Sequence, residues 1–492
     1  MNKFKFQLYL LITIISIILI TFAINVFPTT GTDSRVFIPP ALFYSKGLGF
    51  VNPLYNLTFL KGLYKDNSQF FQFNYYVPLF PLLTGAIGKI HPGIKTIFLI
   101  CSLFSVTSLI LYGKVIVSSL SAKTNIKITI LALLSTVYIA TYLLPTVGRP
   151  EVLSSLLAFI VYIICTKKGK INIYVYRISI FILLSLILST QLICFYFCSL
   201  FIVIYDIIYN KKNIYKVLFI NSIIITLAVL MFILILSLSP NGLLNTINGI
   251  RVHGTWALTR VDRSFKLFFY YWFLYPSNFG FLIIVLLCIF FYIKSLSRII
   301  TNLDYKRVFA IIILNIFVLL GVFKFIIYAS PTVYNATQFI FPLSAYLISN
   351  ISLIENRRIE KIIGSLTIIT VIAGSVLFVR MIVLFADYKA NKKDYDTAKI
   401  VINNLVEKNK TVRISSSLWS LLNNESNVTI FDGHYNSGDT VIFQQVYRTD
   451  IDYYLQRSTI IYDWRISGTN KFLGISLGNS PQCYSFIVCK MN

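Results

Sequence analysis

Acidic side chains are scarce in this sequence: 18 Asp and Glu stand among 492 residues, against 44 Lys and Arg. Charged residues of both signs make up 13% of the chain. Soluble globular domains carry about twice that share, so a water-soluble enzyme is excluded. No Cys-x-x-Cys motif is present, which removes the commonest thiolate signature of a metal or redox site. No internal repeat and no low-complexity tract is found, which excludes solenoid and tail-like architectures. The few charges also avoid the middle of the apolar runs. A transporter or flippase, which needs ionisable groups at mid-membrane, is therefore the weaker of two readings.

What the chain has instead is apolar length. Hydrophobic residues reach 57% and the mean hydropathy is +0.75. The apolar residues come in blocks long enough to cross a bilayer. About eleven such spans are predicted, at residues 6–27, 94–113, 126–145, 149–166, 173–190, 192–210, 215–239, 278–297, 307–329, 335–353 and 361–384. The net charge is +26, and basic residues cluster in the short connections 114–127, 167–177, 211–216, 294–307 and 357–361. That is the positive-inside pattern of a membrane protein, and nucleic acid is not an expected partner. With Lys3 and Lys5 at a cytoplasmic N-terminus, this number of spans puts every basic connection inside. A further crossing at 76–92 would put them outside, so that segment is expected to lie at the outer interface. The first apolar run is too long for a signal peptide and lacks a cleavage site, so it is expected to be a retained helix.

The predicted fold class is thus a polytopic all-α membrane protein with outer-face interfacial helices and a small C-terminal α/β soluble domain. The membrane part covers 1–385, with outer loops at 28–93 and 240–277, and the extracytoplasmic domain covers 386–492. In that domain YDTAKIVINNLVEK reads as an amphipathic helix, and TVRISSS, DTVIFQQV and YSFIVCK read as strands. Cys483 and Cys489 on one strand stand about 20 Å apart and cannot bond. Cys101, Cys165, Cys194, Cys198 and Cys288 fall in or beside spans and read as packing residues.

The chemistry-bearing stretches lie at the outer edge. TTGTDSRVFIPP, residues 29–40, places Asp33 just past the first span, ahead of an amphipathic helix expected from 36 to 46 and a glycine turn. FNYYVPLFPLL follows. TVGRPEVLSSLLAFI opens the fourth span with Arg149, Pro150 and Glu151. YASPTVYNATQFIFPLSAYL, around the tenth span, carries Tyr328, Tyr334 and Gln338. IRVHGTWALTRVDRSFK, in the second large outer loop, gathers Arg251, His253, Arg260, Arg263 and Lys266.

This layout resembles the GT-C superfamily of membrane glycosyltransferases, in the protein O-mannosyltransferase and aminoarabinose transferase group. The resemblance implies transfer of a sugar from a polyprenyl-phosphate donor to a hydroxyl of a lipid, glycan or protein acceptor, with inversion, at the outer face of the plasma membrane. It implies Asp33 as the catalytic base and a cationic hold on the donor phosphate. A divalent metal ion is an open cofactor with no ligand set assigned. The chain departs from the pattern where Ser34 follows Asp33 in place of a second acid, and where Gln338 stands in place of an arginine. The residue chemistry fits. Such a transfer needs a base for the acceptor proton, cations for the leaving phosphate and an apolar groove for the lipid. Arg149, Arg251 and Arg260 are the phosphate candidates, because a guanidinium binds phosphate through two bonds at once. Glu151, His253, Arg263, Tyr334 and Gln338 are secondary candidates.

Plainer readings stand beside each. Asp33 in Thr-Asp-Ser is a normal helix cap. Arg149 and Glu151 end a span by pairing. The basic cluster attracts anionic headgroups, and interfacial tyrosines form belts. A non-catalytic assembly protein of the same fold is a third functional reading, kept open by the missing second acid.

Overall fold

The computed structural model describes residues 2–25, 34–50, 76–120, 126–143, 148–209, 213–238, 242–260, 276–323, 338–351, 356–390, 392–408, 412–415, 418, 428–431, 435–444, 448–464, 471–472, 475–476 and 485–492. Helix accounts for 81% of these. The helices are α1 (Asn2–Ile24), α2 (Ser34–Ser45), α3 (Leu79–Gly88), α4 (Ile94–Ser119), α5 (Ile126–Leu143), α6 (Pro150–Thr166), α7 (Ile173–Leu188) and α8 (Leu192–Tyr209). They continue as α9 (Ile214–Leu238), α10 (Leu243–Arg260), α11 (Pro276–Ile300), α12 (Tyr305–Gly321), α13 (Ile340–Ile351), α14 (Arg357–Ala390), α15 (Lys392–Lys408) and α16 (Arg448–Leu455).

Among the described residues, 6 helices are long and apolar enough to cross a membrane: α1, α4, α8, α9, α11 and α14. The protein is membrane-embedded and helical. Each of the other predicted spans also contains a helix, of 12 to 18 residues. The 12 residues of α13 reach only about 18 Å at 1.5 Å per residue, against a hydrocarbon core of about 30 Å. The segment expected not to cross holds α3, whose 10 residues reach about 15 Å.

Contacts divide the chain into two compact units, residues 1–20, 74–80 and 101–378, and residues 21–73, 81–100 and 379–492. In the first, α7 packs on α6, α8 and α9, α8 on α12, and α13 on α5, α6 and α11. The core is aromatic. Tyr112, Phe159 and Phe341 are fully buried, with centroids 6.2, 5.8 and 5.5 Å apart around the triangle, the offset and edge geometries that ring quadrupoles favour. Small residues let other helices close in. A Cβ on Gly374 would stand 1.8 Å from the Tyr138 ring, and one on Gly280 would stand 2.9 Å from Thr370.

In the second unit, α2 and α3 cross tightly, since a Cβ on Gly85 would meet the Ala41 carbonyl oxygen at 2.7 Å. The expected two-faced character of α2 is corrected here. Every residue from Val36 to Phe43 is buried, because Val-Phe-Ile-Pro-Pro-Ala-Leu-Phe offers no polar face. The helix ends at the expected glycine turn. Gly47 has φ +74°, and Leu48 donates back to the Phe43 carbonyl at 3.0 Å, a left-handed glycine cap.

The C-terminal part of this unit holds α15, α16 and a five-stranded sheet in the order β2-β1-β3-β7-β4, with β1 (Val412–Ile414), β2 (Val428–Ile430), β3 (Thr440–Gln444), β4 (Ser458–Trp464) and β7 (Phe486–Met491). A two-stranded ribbon, β5 (Lys471–Phe472) and β6 (Ile475–Ser476), stands apart from it. β1 pairs parallel with β2 and β3, and β7 pairs antiparallel with β3 and β4. Val441, Phe443, Ile487, Cys489 and Met491 form the core of one face. Cys489 is a free thiol there, and Cys483 lies outside the described residues.

Candidate functional site

The start of α6 is built by its own sequence. Gly148 has φ +86°, a conformation that a side chain would oppose. Arg149 precedes a proline and is extended, at φ −117° and ψ 155°, as the proline ring requires. Pro150 then occupies the first helical position, where its missing N–H costs no hydrogen bond. An arginine at the N-cap cannot accept a bond from the first turn, and no side chain caps it. Its guanidinium folds onto Glu151 instead. Nε donates to Oε2 at 3.1 Å and Nη2 donates to Oε1 at 2.8 Å. The two side chains are 12% and 3% exposed. A buried carboxylate held by a two-pronged cation is well matched, and an acid in the first turn also suits the helix dipole. The result is an arginine fixed in direction.

One turn deeper, the Ser154 hydroxyl donates to Gln338 Oε1 at 2.8 Å, and both residues are fully buried. The Cys194 thiol donates to the Ser154 carbonyl at 3.7 Å. These bonds tie α6 to α8 and to the residues leading into α13. They also give a reason for glutamine at position 338. A second cation buried here would need a counter-ion, and Glu151 is already paired with Arg149.

Arg149, Glu151 and Gln338 are thus brought to one end of α6, and the remaining candidates fall elsewhere. Asp33 immediately precedes α2 and lies outside the described residues, as do Arg263, Tyr328 and Tyr334. The expected loop 240–277 is helical over α10, which carries Arg251, His253 and Arg260. The helix separates them. Nine residues at about 100° each put Arg251 and Arg260 about 180° apart around the axis and about 13.5 Å along it. His253 and Arg260 are about 20° apart and share a face. Arg251 and Arg260 thus occupy opposite sides of α10. Arg251 itself is exposed.

A second polar cluster escaped sequence reading. Asp206, 7% exposed, sits in α8 and pairs with Lys168, which belongs to the short turn after α6. Its Oδ1 also accepts from the Tyr176 hydroxyl at 2.9 Å, and its Oδ2 accepts from Asn221 Nδ2 at 3.1 Å. The carboxylate gathers donors from the α6–α7 turn, α7 and α9. The available signal was a lone acid inside an apolar run, Ile-Val-Ile-Tyr-Asp-Ile-Ile-Tyr. Its partner lies 38 positions away in a basic connection that reads as a positive-inside signal.

Among the described residues, no group of three or more His, Cys, Asp or Glu is placed to hold a metal ion. No known protein family, curated protein or solved structure matches the chain.

Proposed function

We propose that this protein is an inverting glycosyltransferase of GT-C type, acting on a polyprenyl-phosphate sugar and a hydroxyl acceptor at the outer face of the plasma membrane. In this reading about eleven helices span the bilayer. The N-terminus is cytoplasmic, and the domain 386–492 is extracytoplasmic. The observation that carries the proposal is the buried, direction-fixed Arg149 at the start of an apolar helix. A helix N-terminus and a guanidinium together favour an anion, and the leaving group of this reaction is a lipid phosphate.

The acceptor oxygen attacks the anomeric carbon of the sugar. The bond from that carbon to the phosphate oxygen breaks, and the electron pair leaves with polyprenyl phosphate. The acceptor proton passes to Asp33. Arg149 holds the leaving phosphate, and Glu151 keeps the guanidinium aimed. A second cation comes from one face of α10, either Arg251 or Arg260 with His253 beside it. Lipid, glycan and protein acceptors all present the required hydroxyl.

The test uses purified chain, radiolabelled polyprenyl-phosphate sugars and a membrane acceptor fraction. Arg149→Lys keeps the charge but loses the two-pronged geometry. Transfer is expected to fall about 10- to 100-fold, or about 1.4–2.7 kcal/mol. Undiminished transfer removes Arg149 from the site. The alternative, a transporter or flippase of lipid-linked or anionic substrates, draws its support from Asp206, a carboxylate buried in an apolar helix. Substrate movement without transfer, abolished in Asp206→Asn, would favour it.

A further inference from the structure

The basic end of the first unit carries a feature that sugar transfer does not use. α9 and α12 both begin there, and an open groove of about 990 Å³ runs between them. That is the upper end of the range for ligand pockets, about 300–1,000 Å³. Its depth is apolar, with Leu218 of α9 and Ile313 and Leu314 of α12 on its walls. Leu218 and Leu314 rest on a buried cluster of Val203 and Ile207 from α8 with Ile214, Val217 and Ile311, so the groove is backed by packed protein.

Its mouth is cationic. Lys306 places its ammonium 5.3 Å from the Tyr215 ring centre and 5.8 Å from that of Tyr305, so it stands between the two walls. The nearby acid is already matched. Asp304 accepts from the Arg307 backbone N–H and pairs with Arg307 Nε at 3.1 Å. Arg307 also donates to the Ile207 carbonyl at 3.0 Å. Among the described residues lining the groove, Lys306 is the charged one, and both helices point their positive dipole ends the same way.

Length identifies the occupant. From Tyr305 to Leu314 the groove follows nine residues, or about 13.5 Å, half of a hydrocarbon core of about 30 Å. A groove one leaflet deep, apolar below and cationic at the interface, matches a lipid of that leaflet. A transmembrane partner helix would need twice the depth. We propose that this groove binds an anionic glycerophospholipid, with the phosphate on Lys306 between the two tyrosines and an acyl chain along Leu218 and Ile313.

The experiment uses the full chain reconstituted with phosphatidylglycerol and phosphatidylcholine, washed in detergent and weighed intact by native mass spectrometry. Wild type is expected to retain phosphatidylglycerol over phosphatidylcholine. Lys306→Glu, at an exposed position, is expected to lower retention at least tenfold. Ala310→Phe, which fills the groove, should do the same at unchanged thermal stability. Arg298→Glu, at the same end but outside the groove, should retain the lipid. Equal loss in Lys306→Glu and Arg298→Glu would overturn the proposal, leaving general headgroup attraction. It would equally be overturned by retention of phosphatidylcholine alone, retention of a polyprenyl phosphate in its place, or a dimer mass that Ala310→Phe abolishes.

Discussion

Asp206→Ala would leave three donors facing an empty place: the Lys168 ammonium, the Tyr176 hydroxyl and the Asn221 amide. The Lys168 and Asp206 side chains are 13% and 9% exposed. Removing one partner of a buried pair costs about 3–5 kcal/mol. Two features reduce that figure. Lys168 sits on a short surface turn and can swing its ammonium to the interface, and Asn221 keeps a bond to the Val217 carbonyl at 3.0 Å. A net loss of about 3 kcal/mol follows, which lowers the melting temperature by about 3–5 °C. The double variant Lys168→Met with Asp206→Leu removes both charges and fills the space, so it should recover at least about 2 kcal/mol of that loss. The described cysteines are buried, so a thiol-reactive dye gains signal from them as the fold comes apart. Melting of Asp206→Ala at the wild-type temperature would refute the reasoning. So would a double variant no more stable than the single one, since the loss would then not arise from a stranded charge.

Further outcomes are expected. Gly374→Ala drives a methyl into the Tyr138 ring, with ring atoms at 1.8 and 2.1 Å, and should cost about 1–3 kcal/mol in the same melting assay; Tyr138→Leu in the same chain should restore most of it. Burial pushes the Cys489 thiol above its ordinary value of 9.0. The neutral thiol is favoured in the fold, so its contribution is complete below the unfolded pKa and is lost as pH rises through the raised one. Alkaline unfolding of the C-terminal sheet, followed by circular dichroism, should therefore move to higher pH in Cys489→Ala. Glu151→Gln should lower transfer more than it lowers stability, because Arg149 keeps one bond to the amide oxygen but loses its fixed aim; an unchanged rate would make the pair a structural lock alone.

The sequence made some of this fold legible and hid the rest for identifiable reasons. Long apolar blocks announce α1, α4, α8, α9, α11 and α14, because a bilayer admits few alternatives to a helix. Arg149, Pro150 and Glu151 were readable as a helix start, since extended arginine, proline at the first position and a first-turn acid each have a local cause. α2 was misjudged as two-faced, although its eight central residues contain no polar side chain. α10 was missed because Gly-Ile-Arg-Val-His-Gly-Thr-Trp mixes poor helix formers with charges, and contacts override propensity. β4 was missed for a different reason. Its ladder slips between Ile460 and Tyr462, which breaks the alternation that marks a strand. The salt link of Asp206 depends on contacts between distant segments, and no periodicity records those.

The proposed transfer needs a base for the acceptor proton, and the most direct test of that role is transfer by Asp33→Asn. Wild type and the variant, purified in detergent and shown to melt alike, would each receive the panel of radiolabelled polyprenyl-phosphate sugars with a membrane acceptor fraction. The account expects label transfer by wild type and its loss, by at least about a hundredfold, in Asp33→Asn. Equal transfer by both would reduce Asp33 to a helix cap, and no transfer by wild type with any donor would contradict the proposed function itself.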